Sequence, residues 1–363
     1  MSVEIEDTFQ FVPLKPPAVM DQKVFDFLGQ FEMKNFELGG AWYSNLVLHG
    51  LSTKEKAYVA VLKESNGGMA VLPLRVSNCH RRAVSLSTFY TSLYLPAVQS
   101  NSLTQSSSQL FRKLKEGEGL AVLQLEPLDK DSDIYTSTLK ALSLAGWVVF
   151  PYYCFGNWYM PVQWQNYAEY FAQRGSAVKN TVKRKKRKFL RGRRGRFELY
   201  MDKNSVERAI GDFLEIYARS WKKPEPFSEF VPNLIRMAAE KKWLRMGVAY
   251  YDDVPIAAQI WVVAHRRASI FKLAYDEAHK QLSVGTLLTD YLMNYVIDID
   301  KVVEVDYLIG DDAYKKDWMT HRRERWGVIA FNPKTVGGAA GLLTEAGKRL
   351  VKRVLMYIGL KKR

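Results

Sequence analysis

The sequence predicts a mixed α/β protein in two halves, and three observations carry that expectation. Short runs rich in β-branched and aromatic residues recur along the chain. Between them lie segments whose apolar residues return at helical spacing. The rhythm of strands and helices in the first half then starts again in the second, as α+β layers with mixed sheets would require. At 363 residues the chain is long enough for two cores of ordinary domain size.

Residues 1–20, interrupted by Pro13, Pro16 and Pro17, read as an extended lead-in to a first domain over 21–162. Within it, 24–34 has helical periodicity, and 57–63 and 69–76 alternate as strands around the turn Asn66-Gly67-Gly68. A Ser-rich segment at 100–108 leads to a helix over 109–116 and a strand over 121–125. A helix over 137–144 stops at Gly146, and strands over 147–152 and 158–162 complete the half.

Basic connecting helices over 163–174 and 178–191 occupy most of 163–196, and a second domain follows over 197–363. It reads as a strand at 197–200, helices at 206–220 and 232–242, and hairpin strands at 244–251 and 256–264 around Asp252 and Asp253. A strand at 270–274 then leads through a polar loop to Ser283. The helix over 286–297 has Leu287, Leu288, Tyr291, Leu292 and Tyr295 at helical spacing, and a strand covers 302–308. The last strand is 326–331, and a basic amphipathic helix over 342–358 closes the chain.

The net charge of +15 is unevenly placed. Twelve Lys or Arg and no acid fall between Arg174 and Arg196, leaving only +3 for the rest of the chain. Seven more cations and no acid lie between Lys348 and Arg363. In the first segment Val178, Val182, Phe189 and Leu190 form a narrow apolar seam, leaving a dense cationic face suited to a polyanion. A solvated connecting helix fits the same pattern. In the second, the stripe Leu343, Ala346, Leu350, Val354 and Ile358 suits packing on the domain, the expected outcome, or an anionic membrane surface.

Several classes are disfavoured. No apolar run approaches the roughly 18 residues of a membrane helix, and the first residues lack the basic start and apolar core of a secretory signal. Cys79 and Cys154 are too few for a disulfide scaffold or a cysteine zinc site, and five scattered His give no metal spacing. No metal is expected. A cytoplasmic location is, with the inner face of the membrane as a peripheral variant.

The stretch with most chemical content runs from Ile270 to Trp318. A strand feeding Ser283-Val284-Gly285-Thr286 at the start of a helix is a phosphate-binding geometry, since Gly285 lets an anion approach unpaired N–H groups. Plain helix capping by Ser283 gives the same pattern. Asp306 shares a face with Glu304 on an otherwise apolar strand, where a carboxylate is paired or used. It fits a general base and equally a partner of Lys272 or Lys315.

Trp221, the hairpin YYDDVPIAAQIWV, KLAYDE, SVGTLL and DYLIGDDAYKKDW, in that order, make 205–331 resemble the acetyltransferase domain of the GNAT superfamily in its CelD-type and FemAB-like branch. The resemblance implies tandem GNAT-like domains, the second carrying the acyl-donor site. It implies acyl transfer from acyl-CoA or acetyl-CoA to an amine, on a sugar or lipid-linked envelope or polysaccharide precursor. Residues 283–286 take the pyrophosphate-binding positions, although the family's usual Arg/Gln-x-x-Gly-x-Gly/Ala form is reduced to one glycine. Lys315 matches the lysine of an aromatic-Lys-x-x-aromatic element completed by Tyr314 and Trp318, which implies contact with the reacting carbonyl or an anionic group. Asp306, Lys315 and Tyr314 are thus the catalytic candidates, and Lys272, Tyr275, Asp276, Trp221 and Trp318 the substrate-binding ones. The first half has no Ser-x-Gly-Thr before its helix at 109–116, so a GNAT unit there is expected to have lost its donor site. Two rival readings stay open: a FemAB-type aminoacyltransferase gripping tRNA through 174–196, and a non-enzymatic polyanion or membrane-surface binder.

Overall fold

The computed structural model describes residues 7–16, 19–77 and 81–357. Cys79, Pro17, Ile358 and the terminal Lys361, Lys362 and Arg363 lie outside them, as does the side chain of Val354. The chain divides into two compact units. The first comprises Met1–Glu32, Glu37–Cys154 and Glu324–Arg363; the second comprises Met33–Phe36 and Phe155–Arg323.

In chain order the first unit supplies β1 (Thr8–Pro13), α1 (Gln22–Glu32), α2 (Gly40–His49), β2 (Glu55–Lys63), β3 (Met69–Ser77) and β4 (Arg82–Ser85). A short β5 (Ala97–Gln99), α3 (Leu103–Glu116), β6 (Val122–Asp129) and α4 (Asp133–Leu144) follow. The long strand β7 (Val148–Pro161) begins in the first unit and ends in the second. The second unit continues with α5 (Tyr167–Ala172), α6 (Ser176–Phe189), β8 (Gly195–Tyr200), α7 (Val206–Ala218), α8 (Phe230–Glu240), β9 (Leu244–Tyr251) and β10 (Val254–Ala264). Then come β11 (Arg267–Tyr275), α9 (Val284–Asp298), β12 (Glu304–Asp306) and α10 (Lys315–Trp318). Finally β13 (His321–Phe331) leads back to the first unit, which α11 (Val336–Tyr357) completes.

The two units share a strand order. In the first, β1, β2, β3 and β4 are successively antiparallel, β4 and β6 are parallel, and β13 adds antiparallel to β6. In the second, β8 to β11 are antiparallel, β11 and β12 are parallel, and Tyr159–Pro161 of β7 add antiparallel to β12. Along the chain, however, β7 follows the elements of the first unit and β13 those of the second. Each unit is closed by the strand that the other's sequence leads into.

The mixed α/β expectation holds, with local differences. The lead-in is an edge strand: Thr8 to Pro13 pair with Lys63 to Tyr58, and Phe11 stacks on Tyr58 with ring centroids 4.7 Å apart. The two strands expected at 147–152 and 158–162 are one. Gly156 there is a close approach, since a Cβ would lie 2.5 Å from the Arg322 guanidinium. The Ser-rich run is helical from Leu103: Ser102 caps α3 at its start, and Ser106, Ser107 and Ser108 are buried on the helix. Helix α2 escaped notice because its burial on several sides leaves no apolar stripe to read. The expected packing stripe of the last helix is also corrected. Leu343 and Leu350 are 73% and 64% exposed, whereas α11 touches its unit through Leu342, Gly341 beside Phe331, and Arg349, which donates to Pro151 O at 2.9 Å.

In the second unit α9 lies on β9 to β11 with Leu287, Leu288, Leu292, Met293, Val296 and Ile297 buried. Gly247 permits that approach: a Cβ there would meet the Cδ atoms of Leu288 and Leu292 at about 3.0 Å. Burying these six side chains contributes on the order of 10 kcal/mol before the entropy of ordering them.

Candidate acyl-transfer site

The parallel strands β11 and β12 pair over only three residues, Arg267, Ala268 and Ser269 facing Glu304, Val305 and Asp306. Strand β11 runs on to Tyr275 while β12 ends, and α9 forms the crossover between them. The gap beyond the carboxyl ends of two parallel strands is where such folds take ligands. A cavity of about 540 Å³ opens there, with Leu273 and Tyr275 of β11, Gln259 of β10, and Gly285, Thr286 and Thr289 of α9 in its wall. Trp221 and Lys222 come from the segment after α7, Asp312, Tyr314, Asp317 and Trp318 from the segment after β12, and Ala177, Val178 and Thr181 from the start of α6.

The start of α9 is unusual in its capping. Ser283 adopts the left-handed conformation at φ 54°, and its side chain makes no capping hydrogen bond. The first helical bond is Leu287 N–H to Ser283 O at 3.1 Å, so the N–H groups of Val284, Gly285 and Thr286 have no acceptor among the described residues. Gly285 itself is helical; the positive φ belongs to Ser283. A Cβ on Gly285 would meet only Tyr275 Cδ1, at 3.6 Å. It would extend into the cavity without disturbing the fold. The first turn is held from below by Gln259, whose Nε2 donates to Gly285 O at 2.9 Å and to Thr289 Oγ1 at 2.8 Å. Trp261 Nε1 fixes Gln259 Oε1 at 2.9 Å. These three free donors, with the positive end of a 15-residue helix, fit a pyrophosphate such as that of CoA.

Helix α6 is tied to α9. Lys186 pairs with Asp290 at 2.9 Å, Tyr167 Oη donates to the same carboxylate, and Lys185 donates to Gln281 O. Its outer face carries Lys183, Arg184, Arg187 and Lys188, all exposed and without ion pairs among the described residues. Trp318 is fixed through its carbonyl, which accepts from Tyr170 Oη at 2.7 Å and Arg174 Nη1 at 3.2 Å.

Of the residues singled out from sequence, Gly285, Thr286, Trp221, Tyr275, Tyr314 and Trp318 meet at the cavity. The Trp221 and Tyr275 rings pack at a tilt of 42° with centroids 4.4 Å apart. Tyr314 is edge-on to Tyr307, and burial and then Asp312 push its phenol up to about 12. It keeps its proton at neutral pH and can donate it in a hydrogen bond. Asp306 is not in the cavity wall. Its carboxylate accepts from Asn157 Nδ2 at 2.6 Å, from Leu308 N–H at 2.7 Å, and from Arg323. A carboxylate so engaged anchors the strand end. Lys315 is buried and donates to Gly310 O at 3.3 Å and to Ile309 O while pairing with Asp312 at 3.1 Å, so it shapes the 309–312 loop. Lys272 pairs with Glu225. Asp276 caps the turn at Ala278 N–H, 2.9 Å away, with Arg219 at 3.7 Å.

Sequence reasoning missed Lys222, Asp312, Asp317, Gln259 and Thr289. Gln259 carried a readable signal, being the one polar residue in the apolar strand run Ile256–Ala264. Lys222 carried none beyond its place after Trp221.

Residues 176–316 match the family described as Acetyltransferase (GNAT) domain. No curated protein matches the chain by sequence at a significant level. Among solved structures, the chain is similar to FemX at 11% identity and TM-score 0.58, covering 81% of this chain and 92% of that one. A conserved protein of unknown function from Bacteroides thetaiotaomicron is similar at 9% identity and TM-score 0.58, over 86% and 98% of the two chains. A third, described as the C-terminal domain (DUF2156) of a lysylphosphatidylglycerol synthetase from Agrobacterium fabrum, is similar at 12% identity and TM-score 0.55, over 88% and 95%. At these identities the likeness is one of fold.

Proposed function

We propose that the second unit, whose residues 176–316 match the family described as Acetyltransferase (GNAT) domain, transfers an acyl group from a CoA thioester to an amine within the cavity beside α9. The observation that carries this reading is the trio of unaccepted N–H groups at 284–286 opening onto that cavity. The thioester supplies an activated acyl carbon: the neutral amine forms the C–N bond as the C–S bond breaks, CoA leaves as its thiolate, and the proton that the nitrogen then loses passes to that sulfur. Residues 284–286 hold the pyrophosphate. The Tyr314 hydroxyl donates to the acyl oxygen as negative charge develops there. Asp317, in the cavity wall, draws the ammonium form of the acceptor in and receives its proton, the role that Asp306 and the Lys315-paired Asp312 are too engaged to fill. Trp221, Tyr275 and Trp318 exclude water from the acyl chain. Lys315 and Lys272 act by holding the cavity's loops. The CelD-type resemblance makes amino sugars and lipid-linked amines of envelope or polysaccharide precursors the first acceptors to assay.

A second reading is favoured by the exposed cations of α6: an aminoacyl-tRNA donor, with Lys183, Arg184, Arg187 and Lys188 on the RNA backbone. The exposed Leu343, Leu350 and Val351 beside Lys348 and Lys352 support contact of α11 with an anionic membrane surface. None of the described helices is long and apolar enough to cross a membrane. Native mass spectrometry of the purified chain separates the readings. Co-purifying CoA or acyl-CoA supports the first. Bound RNA, lost when the four α6 cations are neutralised, moves the donor to tRNA. Lys185 and Lys186 are left intact in that variant because they hold α9.

A further inference from the structure

Five charged side chains gather where the segment after α7 meets the segment after β12. Lys272 and Tyr217 Oη both donate to Glu225, and Lys315 pairs with Asp312 at 3.1 Å. Lys222 stands among them in the cavity wall. Its ammonium has no ion pair and no hydrogen bond among the described residues; the contact it makes is with the Trp221 ring, 5.6 Å to the centroid. Both carboxylates of the cluster are thus committed to the other two lysines, and the group carries one positive charge over. Burial, and then the charge of Lys272, hold the Lys222 ammonium down to about 8, with Lys315 acting in the same sense and Glu225 and Asp312 against it. A half-buried cation without its own counter-ion is costly unless a ligand supplies one.

Resting on the reading of this cavity as the acyl-transfer site, we propose that Lys222 binds an oxyanion, a carboxylate or phosphate, carried by a substrate seated there. Two sources offer that chemistry. An acceptor amine that also bears an anion would place its ammonium by Asp317 and its oxyanion on Lys222. A phosphate of the CoA donor is the other. The geometry favours a charged role over that of a neutral base, because the lysine faces two cations whose partners are already taken, and an oxyanion completes the set.

Lysine-specific labelling of the wild-type chain, read at each residue by mass spectrometry across pH, tests this without a variant that must fold. The probes are sulfate, CoA and phosphate-free pantetheine. Sulfate is expected to raise the apparent pKa of Lys222 by about one unit and slow its labelling near pH 7 about tenfold. Protection by CoA but not pantetheine assigns the anion to the donor, and protection by sulfate without protection by CoA assigns it to the acceptor. An unchanged Lys222 profile with all three probes overturns the proposal. As a second measure, Lys222→Arg should retain affinity for the protecting anion and Lys222→Met should lose it about tenfold; equal loss in both overturns it as well. Sulfate protection in a chain that binds no CoA removes the CoA reading and leaves this one. CoA binding with no probe protecting Lys222 does the reverse.

Discussion

The crossover helices of the two units, α3 and α9, follow the same place in the same strand order, and their first turns are finished in opposite ways. At α3, Ser102 accepts from Gln105 N–H at 3.3 Å, so one of the helix's unpaired donors is met by a side chain. Beside it Glu64 receives the hydroxyl of Ser100 at 2.8 Å and that of Ser106. The protein's own carboxylate thus sits where the positive end of a helix would draw an anion. At α9, Ser283 caps nothing, three donors stay open, and a glycine keeps the approach clear. One architecture therefore serves two ends: a helix start closed for stability and one left open for a ligand. The closed one supports the reading that the first unit has no donor site.

The comparison can be broken most severely through the exchanged strands. Fragments 1–162 and 163–363 correspond to the halves read from sequence, yet the first lacks β13 and the second lacks Tyr159–Pro161. Each is expected to lose its folded state, on the order of 5–15 kcal/mol. Circular dichroism melts check this; a cooperative transition in fragment 163–363 near that of the full chain would show the exchange to be dispensable.

Next in size is Lys222. Its folded-state pKa of about 8 lies below the ordinary 10.5, so the folded protein binds this proton less well than the unfolded chain. The cost is full below pH 8, fades between pH 8 and 10.5, and is absent above. Lys222→Met should therefore raise stability at pH 7 by up to about 3 kcal/mol, and the gain should shrink as pH rises through that window. Urea unfolding at pH 7, 9 and 10.5 reads it directly. A gain that grows with pH would contradict the cluster as described.

The smallest effects sharpen the contrast between the helix starts. Ser102→Ala should cost about 1 kcal/mol by removing a cap. Ser283→Gly should stabilise by roughly 1 kcal/mol, because a left-handed residue loses its Cβ strain and no cap is lost. Thermal melts of the two variants should shift in opposite directions; a drop for both would mean that Ser283 caps α9 after all.

Much of this was legible in the sequence. Strands β2 and β3 announced themselves by alternation, β9 and β10 as runs on either side of Asp252 and Asp253, and α9 by Leu287, Leu288 and Leu292. The open turn at 283–286 could be named because Gly285 stands where an anion-binding helix start needs a bare backbone. What could not be read depends on pairing across long separations. No local pattern tells that Asp306 meets Arg323 and Asn157, so its burial left a general base and a partner of Lys272 or Lys315 equally open. Likewise, the partners that leave Lys222 odd among its neighbours come from segments up to about ninety residues away. The exchange of β7 and β13 is invisible for a related reason: nothing in a strand's own residues names the distant strand it will pair with.

The account rests on the open start of α9, and calorimetric titration of CoA into wild type and Gly285→Val tests it most directly. A valine there adds bulk toward the cavity while its Cβ finds ordinary contact with Tyr275, so the fold should tolerate it. The expected result is measurable CoA binding by wild type, at least about tenfold weaker in the variant, with melting temperatures within a few degrees. Undiminished CoA affinity in a well-folded Gly285→Val chain would contradict the assignment of 284–286 as the donor cradle.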